Sequence, residues 1–258
     1  MDNQGYSNEG ARQCCEIIWN GGIRDVTEVH SWTNLPGKYW PQGPDVKPVA
    51  APVPETLDWQ VWLAGAEDRP YSPAYAPHHW RGYPDFGAGA IGDMACHILG
   101  TPNMGLRLTA PVSVECIKQE GKAEYTFAKK NEIQKLGDSD INGSLFMGSK
   151  GMVTTGCYGE RTRLIPDETM KDYKIAPKLL TRSPGHYQDW IRAAKGGEHS
   201  CSNFDIAGPF VQWMLLGVIA MKYEGKLEWD AQQSRFTNNK DANQHLAPKF
   251  RKGWKFVG

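Results

Sequence analysis

Two side chains with acid–base chemistry, Asp93 and His97, stand four residues apart in the segment DMACH. On a helix, residues at this spacing lie on the same face. A carboxylate beside an imidazole fixes the imidazole tautomer, and the imidazole then serves as a general acid or base near neutral pH. The pair therefore predicts a proton-transfer site with His97 and Asp93 as catalytic residues. The alternative is structural: Asp93 caps the helix, and His97 is a core side chain with satisfied hydrogen bonds.

The same two side chains are also common metal ligands, but a zinc site takes at least three protein ligands. No third ligand stands at a convincing spacing, so we predict no metal site. A metal-dependent hydrolase or lyase built on His97 with His78 or His79 is a further hypothesis. The cysteines contain no C-x-x-C pair and are expected to be reduced, buried thiols. They are Cys14, Cys15, Cys96, Cys116, Cys157 and Cys201.

Two other polar segments carry binding chemistry. These are residues 78–81, HHWR, and residues 181–186, TRSPGH. An arginine in such a loop can hold an anionic or hydroxyl-rich substrate, and aromatic side chains beside loops often line sugar pockets. The alternatives are ordinary exposed loops and aromatic side chains that pack in a core.

The residues just before Asp93 read GAGAIG and match the pattern G-x-G-x-x-G of dinucleotide-binding folds. A working site also needs a buried hydrophobic strand that leads into the first glycine. Residues 81–86, RGYPDF, contain a proline and no run of Val, Ile or Leu. We therefore predict that this turn does not bind a nucleotide, although its small residues let a backbone pass close to a ligand.

The bulk composition narrows the class of protein. The chain has 258 residues, 40% of them hydrophobic, and its 29 basic and 29 acidic residues give a formal net charge of zero. This balance argues against nucleic acid and membrane surfaces as partners. The N-terminus, MDNQGYSNEG, is too polar for a signal peptide. We expect a soluble protein, cytoplasmic as the chain stands.

Hydrophobic periodicity and turn residues predict intermixed helices and strands. Helices are expected from Ser7 to Gly21-Gly22, over Asp93–Leu99, from Ser183-Pro184 to Gly196-Gly197, and over Asp205–Tyr223. Strands are expected over Ile23–Trp32, Pro111–Lys118 and Leu227–Trp229, with a hairpin over Ser144–Tyr158 that turns at Gly148–Gly151. Because no strict βαβ alternation is visible, the pattern favours an α+β fold.

Several separated segments resemble one known family. Residues 80–97, WRGYPDFGAGAIGDMACH, resemble the substrate-domain motif of the Gfo/Idh/MocA oxidoreductases, in particular the branch abundant in Bacteroidetes and Planctomycetes. Residues 3–10, NQGYSNEG, resemble the segment N-Q-G-H-S-x-E-G that follows the family's nucleotide-binding domain. Further stretches agree at residues 22–26, 203–209, 215–217 and 227–230.

The resemblance implies the substrate domain of an NAD(P)-dependent dehydrogenase that acts on sugars, glycosides or cyclitols. Its fold would be an open-faced mixed β-sheet with helices packed on one face, of the glyceraldehyde-3-phosphate-dehydrogenase type. Residues 1–258 would form one substrate-binding domain, without a nucleotide-binding domain, that forms homo-oligomers through the sheet. His97 would be the proton-transfer group beside Asp93. The expected substrate-binding residues are Trp80, Arg81, His79, Tyr158 and His186.

The sequence also departs from the family pattern. The family's E-K-P motif with its catalytic lysine does not occur, Tyr6 replaces a histidine, Pro84 replaces a tryptophan, and the charged segment 128–140 looks short. We therefore expect that this chain alone neither binds NAD(P) nor completes hydride transfer. The alternative is a non-catalytic carbohydrate-binding or scaffold protein derived from the family. Exported relatives leave a periplasmic location open for a longer form.

Overall fold

The computed structural model describes residues 3–33, 35, 48–117, 142–174 and 177–255. The short segment noted at residues 128–140 lies outside them. The chain divides into two compact units. Unit 1 comprises residues 1–34, 94–110 and 125–214, and unit 2 comprises residues 35–93, 111–124 and 215–258. That residues 1–258 form a single domain stays a prediction.

Helices and strands are intermixed along the chain, which confirms the α+β class. The helices are α1 (Glu9–Trp19), α2 (Trp59–Leu63), α3 (Gly89–Ile98), α4 (Gly100–Leu106), α5 (Asp167–Asp172), α6 (His186–Ala194) and α7 (Phe204–Ala220). Short 3₁₀ helices cover Gln4–Ser7, His79–Gly82 and Asp241–His245. The strands are β1 (Val26–Thr33), β2 (Ser113–Glu115), β3 (Asn142–Gly148), β4 (Gly151–Gly156), β5 (Arg163–Ile165), β6 (Lys226–Asp230) and β7 (Arg235–Phe236).

Unit 1 contains a four-stranded antiparallel sheet in the order β1-β3-β4-β5. The predicted hairpin is confirmed, because β3 and β4 pair with Phe146 opposite Val153 and turn between Gly148 and Gly151. Side chains alternate between the two faces of a strand. Residues directly opposite each other on paired strands point to the same face, so Phe146 and Val153 share one face. Both side chains are fully buried.

Helix α1 covers that face of the sheet. Its side chains Cys14 and Ile17 pack in one hydrophobic cluster with Phe146, Val153 and Leu164. The helix was expected to begin at Ser7, and this detail is wrong. Asn8 caps α1 instead, because its side-chain oxygen accepts a hydrogen bond from the Gly10 backbone N–H at 2.9 Å.

Unit 2 contains the antiparallel sheet β2-β6-β7, in which the predicted strand at Leu227–Trp229 is confirmed as β6. A separate aromatic cluster buries Trp59, Tyr71 and Tyr75, with Trp62 stacked on Trp59 at a centroid distance of 4.7 Å. These aromatic side chains therefore pack in a hydrophobic core of unit 2.

Two predicted boundaries differ from the structure. Ser183 was expected to cap a helix with Pro184 as its first residue, but α6 begins at His186 and has no side-chain cap. Gly185 precedes it at φ 108°, a conformation that glycine adopts without strain. Helix α3 begins at Gly89, four residues before the predicted start at Asp93. The long helix α7 is confirmed and carries Pro209 in its interior.

Candidate functional site

Helix α3 carries both predicted catalytic residues, Asp93 and His97, separated by one helical turn as the sequence predicts. The boundary between the two units falls inside this helix, after Asp93. Both side chains are half-buried. The surroundings of Asp93 are therefore those of unit 2, and the surroundings of His97 are those of unit 1.

In unit 2, Arg81 lies beside Asp93. Its Nε is 3.7 Å from the Asp93 Oδ1, and its guanidinium lies 4.6 Å from the centroid of the Trp80 ring. Its Nη1 also donates to the His78 carbonyl at 3.2 Å. This arrangement joins an acceptor, a donor fork and an aromatic face in one cluster. Those three groups are what a polyhydroxylated ligand needs for hydrogen bonding and stacking.

The glycine pattern supports this cluster sterically. At Gly87, a Cβ atom would lie 2.5 Å from the Arg81 carbonyl oxygen and 2.7 Å from its Cα. The loop can therefore pass this close to the 3₁₀ helix His79–Gly82 only without a side chain. The space beside this glycine is filled by protein backbone.

In unit 1, the His97 ring contacts Tyr158. The ring centroids are 4.9 Å apart and the planes are inclined by 62°. The Tyr158 backbone N–H donates to the Glu160 Oε2 at 2.8 Å, which fixes the turn after β4. Tyr158 therefore orients the imidazole through a ring contact.

The other predicted binding residues lie in two places. His79 begins the 3₁₀ helix that carries Trp80 and Arg81, is exposed, and has its ring 5.7 Å from that of His78. His186 begins α6, with its ring 5.6 Å from that of Tyr187. The roles of all predicted site residues stay predictions.

Residues 25–256 match a family model described as the oxidoreductase family, C-terminal alpha/beta domain, of the Gfo/Idh/MocA proteins. The chain belongs to the Gfo/Idh/MocA oxidoreductase family. A comparison with curated proteins finds no match. The resemblance drawn from the sequence motifs is thus confirmed, and the matched part of this Gfo/Idh/MocA chain is the C-terminal domain.

The family is generally NAD(P)-dependent, and a dinucleotide site needs a buried strand that leads into its glycine turn. GAGAIG follows turns and a 3₁₀ helix, and no strand lies between α2 and α3 in the described residues 64–88. Because Gly87 faces the Arg81 backbone, the turn offers no open cradle for a pyrophosphate. The glycine turn of this Gfo/Idh/MocA domain therefore does not fit a dinucleotide, and the expectation that the chain alone does not bind NAD(P) stays a prediction.

Within the described part of the domain, no three His, Cys, Asp or Glu side chains are grouped to hold a metal ion. No helix in the described ranges has both the length and the apolar character to cross a bilayer.

Unit 1 of this Gfo/Idh/MocA domain also contains a cavity of about 810 Å³ that the sequence did not reveal. Its lining includes Arg12, Arg107, Arg182, Arg192 and Asp189. These residues come from four separate stretches of the chain, around positions 12, 107, 182 and 189–192, so local spacing could not have joined the four stretches. Arg182 belongs to the segment 181–186 whose polar residues the sequence singled out.

Proposed function

We propose that this chain is the substrate-binding domain of an NAD(P)-dependent sugar or glycoside dehydrogenase and binds a polyhydroxylated ligand along α3. The observation that carries the proposal is the position of Asp93 and His97 one turn apart on that helix, in a chain of the Gfo/Idh/MocA family. The cluster of Arg81 and Trp80 around Asp93 supports a ligand rich in hydroxyl groups.

Each side chain takes a distinct role in this proposal. The neutral imidazole of His97 accepts the proton of a substrate hydroxyl, while Tyr158 holds the ring in place. Asp93 accepts a hydrogen bond from a neighbouring hydroxyl, and Arg81, with its Nε 3.7 Å from the Asp93 Oδ1, orients that carboxylate. Trp80 offers its ring to a sugar face. Hydride transfer is not assigned to this chain, since its glycine turn does not fit a dinucleotide.

Calorimetric titration with a panel of neutral glycosides tests the proposal. We expect a glycoside to bind the wild-type chain. Asp93→Asn and His97→Gln are each expected to weaken that binding about tenfold, because each removes a hydrogen bond worth about 1–1.5 kcal/mol. The matched controls are Asp85→Asn, an exposed carboxylate paired with Arg69, and His30→Gln, whose imidazole lies 2.9 Å from Glu28.

The controls are expected to bind the glycoside as the wild type does. If no glycoside in the panel binds, the proposal fails. It also fails if the two α3 variants bind the glycoside as tightly as the controls do.

A non-catalytic carbohydrate-binding protein is the second candidate function. The misfit between GAGAIG and a dinucleotide favours it, because a binding protein needs no cofactor. Incubation of the chain with a glycoside, NAD⁺ and a separately supplied nucleotide-binding domain of the family, read by the absorbance of the NADH formed, separates the two functions. Glycoside oxidation by that combination would establish the dehydrogenase, and glycoside binding without oxidation would favour the binding protein.

A further inference from the structure

The charged groups that line the unit 1 cavity are unequally neutralised. Arg182 forms ion pairs with Glu16 at 2.6 Å and Glu9 at 3.1 Å. Arg192 forms ion pairs with Asp189 at 2.6 Å and Glu198 at 3.3 Å. The charges of these two arginines are therefore balanced by protein carboxylates.

Arg12 is different, because it is only 5% exposed and yet forms no ion pair with any carboxylate of the described residues. Its Nε donates to the Thr181 carbonyl at 2.9 Å, and its Nη1 donates to the carbonyls of Tyr6 and Asn8 at 2.6 and 3.3 Å. These acceptors satisfy hydrogen bonds but supply no negative charge. A buried charge is costly unless an opposite charge compensates it.

Arg107 is a second arginine of the lining without an ion pair among the described residues, although its side chain is exposed. It ends α4 in the left-handed conformation at φ 49°, and its guanidinium lies 4.6 Å from the Trp19 ring centroid. The remaining carboxylate of the lining, Asp205, is exposed in the first turn of α7, where water screens its charge.

We propose that this cavity binds a small organic anion, with Arg12 and Arg107 recognising its carboxylate or phosphate group. Guanidinium groups favour both kinds of oxyanion. A volume of about 810 Å³ exceeds the needs of a lone inorganic ion and suits a ligand with a body of its own. The hydroxyl of Ser183 and the exposed side chain of Leu108 offer that body polar and apolar contacts.

The proposal is independent of the proposed function, because none of the lining residues belongs to α3. Calorimetric titrations with four ligands show whether the cavity prefers a carboxylate or a phosphate ester, and whether it needs both a charge and a sugar body. The ligands are glucuronate, glucose 6-phosphate, neutral glucose and inorganic phosphate. We expect glucuronate or glucose 6-phosphate to bind at least about tenfold more tightly than glucose and inorganic phosphate. We also expect added salt to weaken the binding.

Arg107→Gln is the first variant, because the side chain is exposed and its loss leaves the core intact. It should weaken binding of the anionic ligand about tenfold or more. The matched control is Arg24→Gln, an exposed arginine at φ 55° outside the cavity, which should bind as the wild type does. His97→Gln should also leave this binding unchanged, which separates the cavity from the α3 site.

Binding by glucuronate alone would identify a carboxylate site, and binding by glucose 6-phosphate alone would identify a phosphate ester site. Both results support the proposal. Equal binding of glucose and its charged counterparts would overturn it, as would no binding by either anion. An Arg107→Gln chain that binds the anion as tightly as the Arg24→Gln chain would also overturn it.

Discussion

The imidazole of His97 packs against the ring of Tyr158 at a centroid distance of 4.9 Å, although 61 positions separate the two residues in the chain. Aromatic pairs in this inclined geometry contribute about 0.5–1.5 kcal/mol beyond simple burial. A double-mutant cycle with His97→Leu and Tyr158→Leu should therefore give a coupling energy of about 1 kcal/mol in urea unfolding. Tyr158→Phe keeps the ring and should preserve the coupling. Additive effects of the two leucine variants would contradict the contact.

Breaking the buried ion pair between Glu16 and Arg182 should destabilise unit 1. Glu16 is 2% exposed, and its two oxygens accept from the Arg182 Nη1 and Nη2 at 2.6 and 2.7 Å. Arg182→Gln leaves the carboxylate buried without its cation, so we expect a loss of about 3 kcal/mol in the free energy of unfolding. Urea denaturation measures it. The exposed Arg24→Gln variant should change the same quantity by about 0.5 kcal/mol or less.

The same carboxylate makes stability depend on pH. Burial by itself would raise the pKa of Glu16, but hydrogen bonds from Arg182 and from the Leu180 and Leu179 N–H groups lower the pKa below its usual value. A lowered folded-state pKa stabilises the fold above the unfolded pKa, about 4.3 for glutamate, and the stabilisation disappears as the pH falls through the folded value.

The stability difference between the wild type and Glu16→Gln should therefore be constant from about pH 7 to pH 5 and shrink below about pH 4.3. Urea midpoints across that range test this expectation. A difference that grows on acidification would contradict the assigned direction of the pKa shift.

Cysteine reactivity should separate buried from accessible thiols. Burial raises the pKa of Cys14 well above its usual value and raises the pKa of Cys15 to about 12, so neither forms the reactive thiolate near neutral pH. Iodoacetamide should label the half-buried Cys116 first. Peptide mass spectrometry should find Cys14 and Cys15 modified only after unfolding in urea. Their early modification in the native chain would contradict the burial of α1.

Asn243 should stabilise the β7 end of the sheet in unit 2. Its Oδ1 accepts from the Phe236 N–H at 2.7 Å, and its Nδ2 donates to the Phe236 carbonyl at 3.0 Å. The side chain thereby imitates a further strand. Asn243→Ala leaves two backbone groups unpaired, and we expect a loss of about 2 kcal/mol in urea unfolding. The exposed Gln233→Ala is the control, and an equal effect of the two variants would argue against this role.

Local patterns in the sequence were sufficient for much of the fold. The hairpin between Phe146 and Val153, the strand at Leu227–Trp229 and the long helix α7 each follow from periodicity and from glycine turns, which act over neighbouring residues. The spacing of Asp93 and His97 likewise follows from the helix alone. The separated motifs sufficed to indicate the Gfo/Idh/MocA family.

The tertiary structure decided which distant groups meet. It placed Tyr158 on His97 and used Gly87 to bring a loop against Arg81. It also paired Arg182 with Glu16, whereas Arg12 donates to three backbone carbonyls. Sequence spacing cannot predict such contacts, because they join residues far apart in the chain. The physical reason is that burial makes the charge balance of each side chain depend on neighbours that only folding supplies.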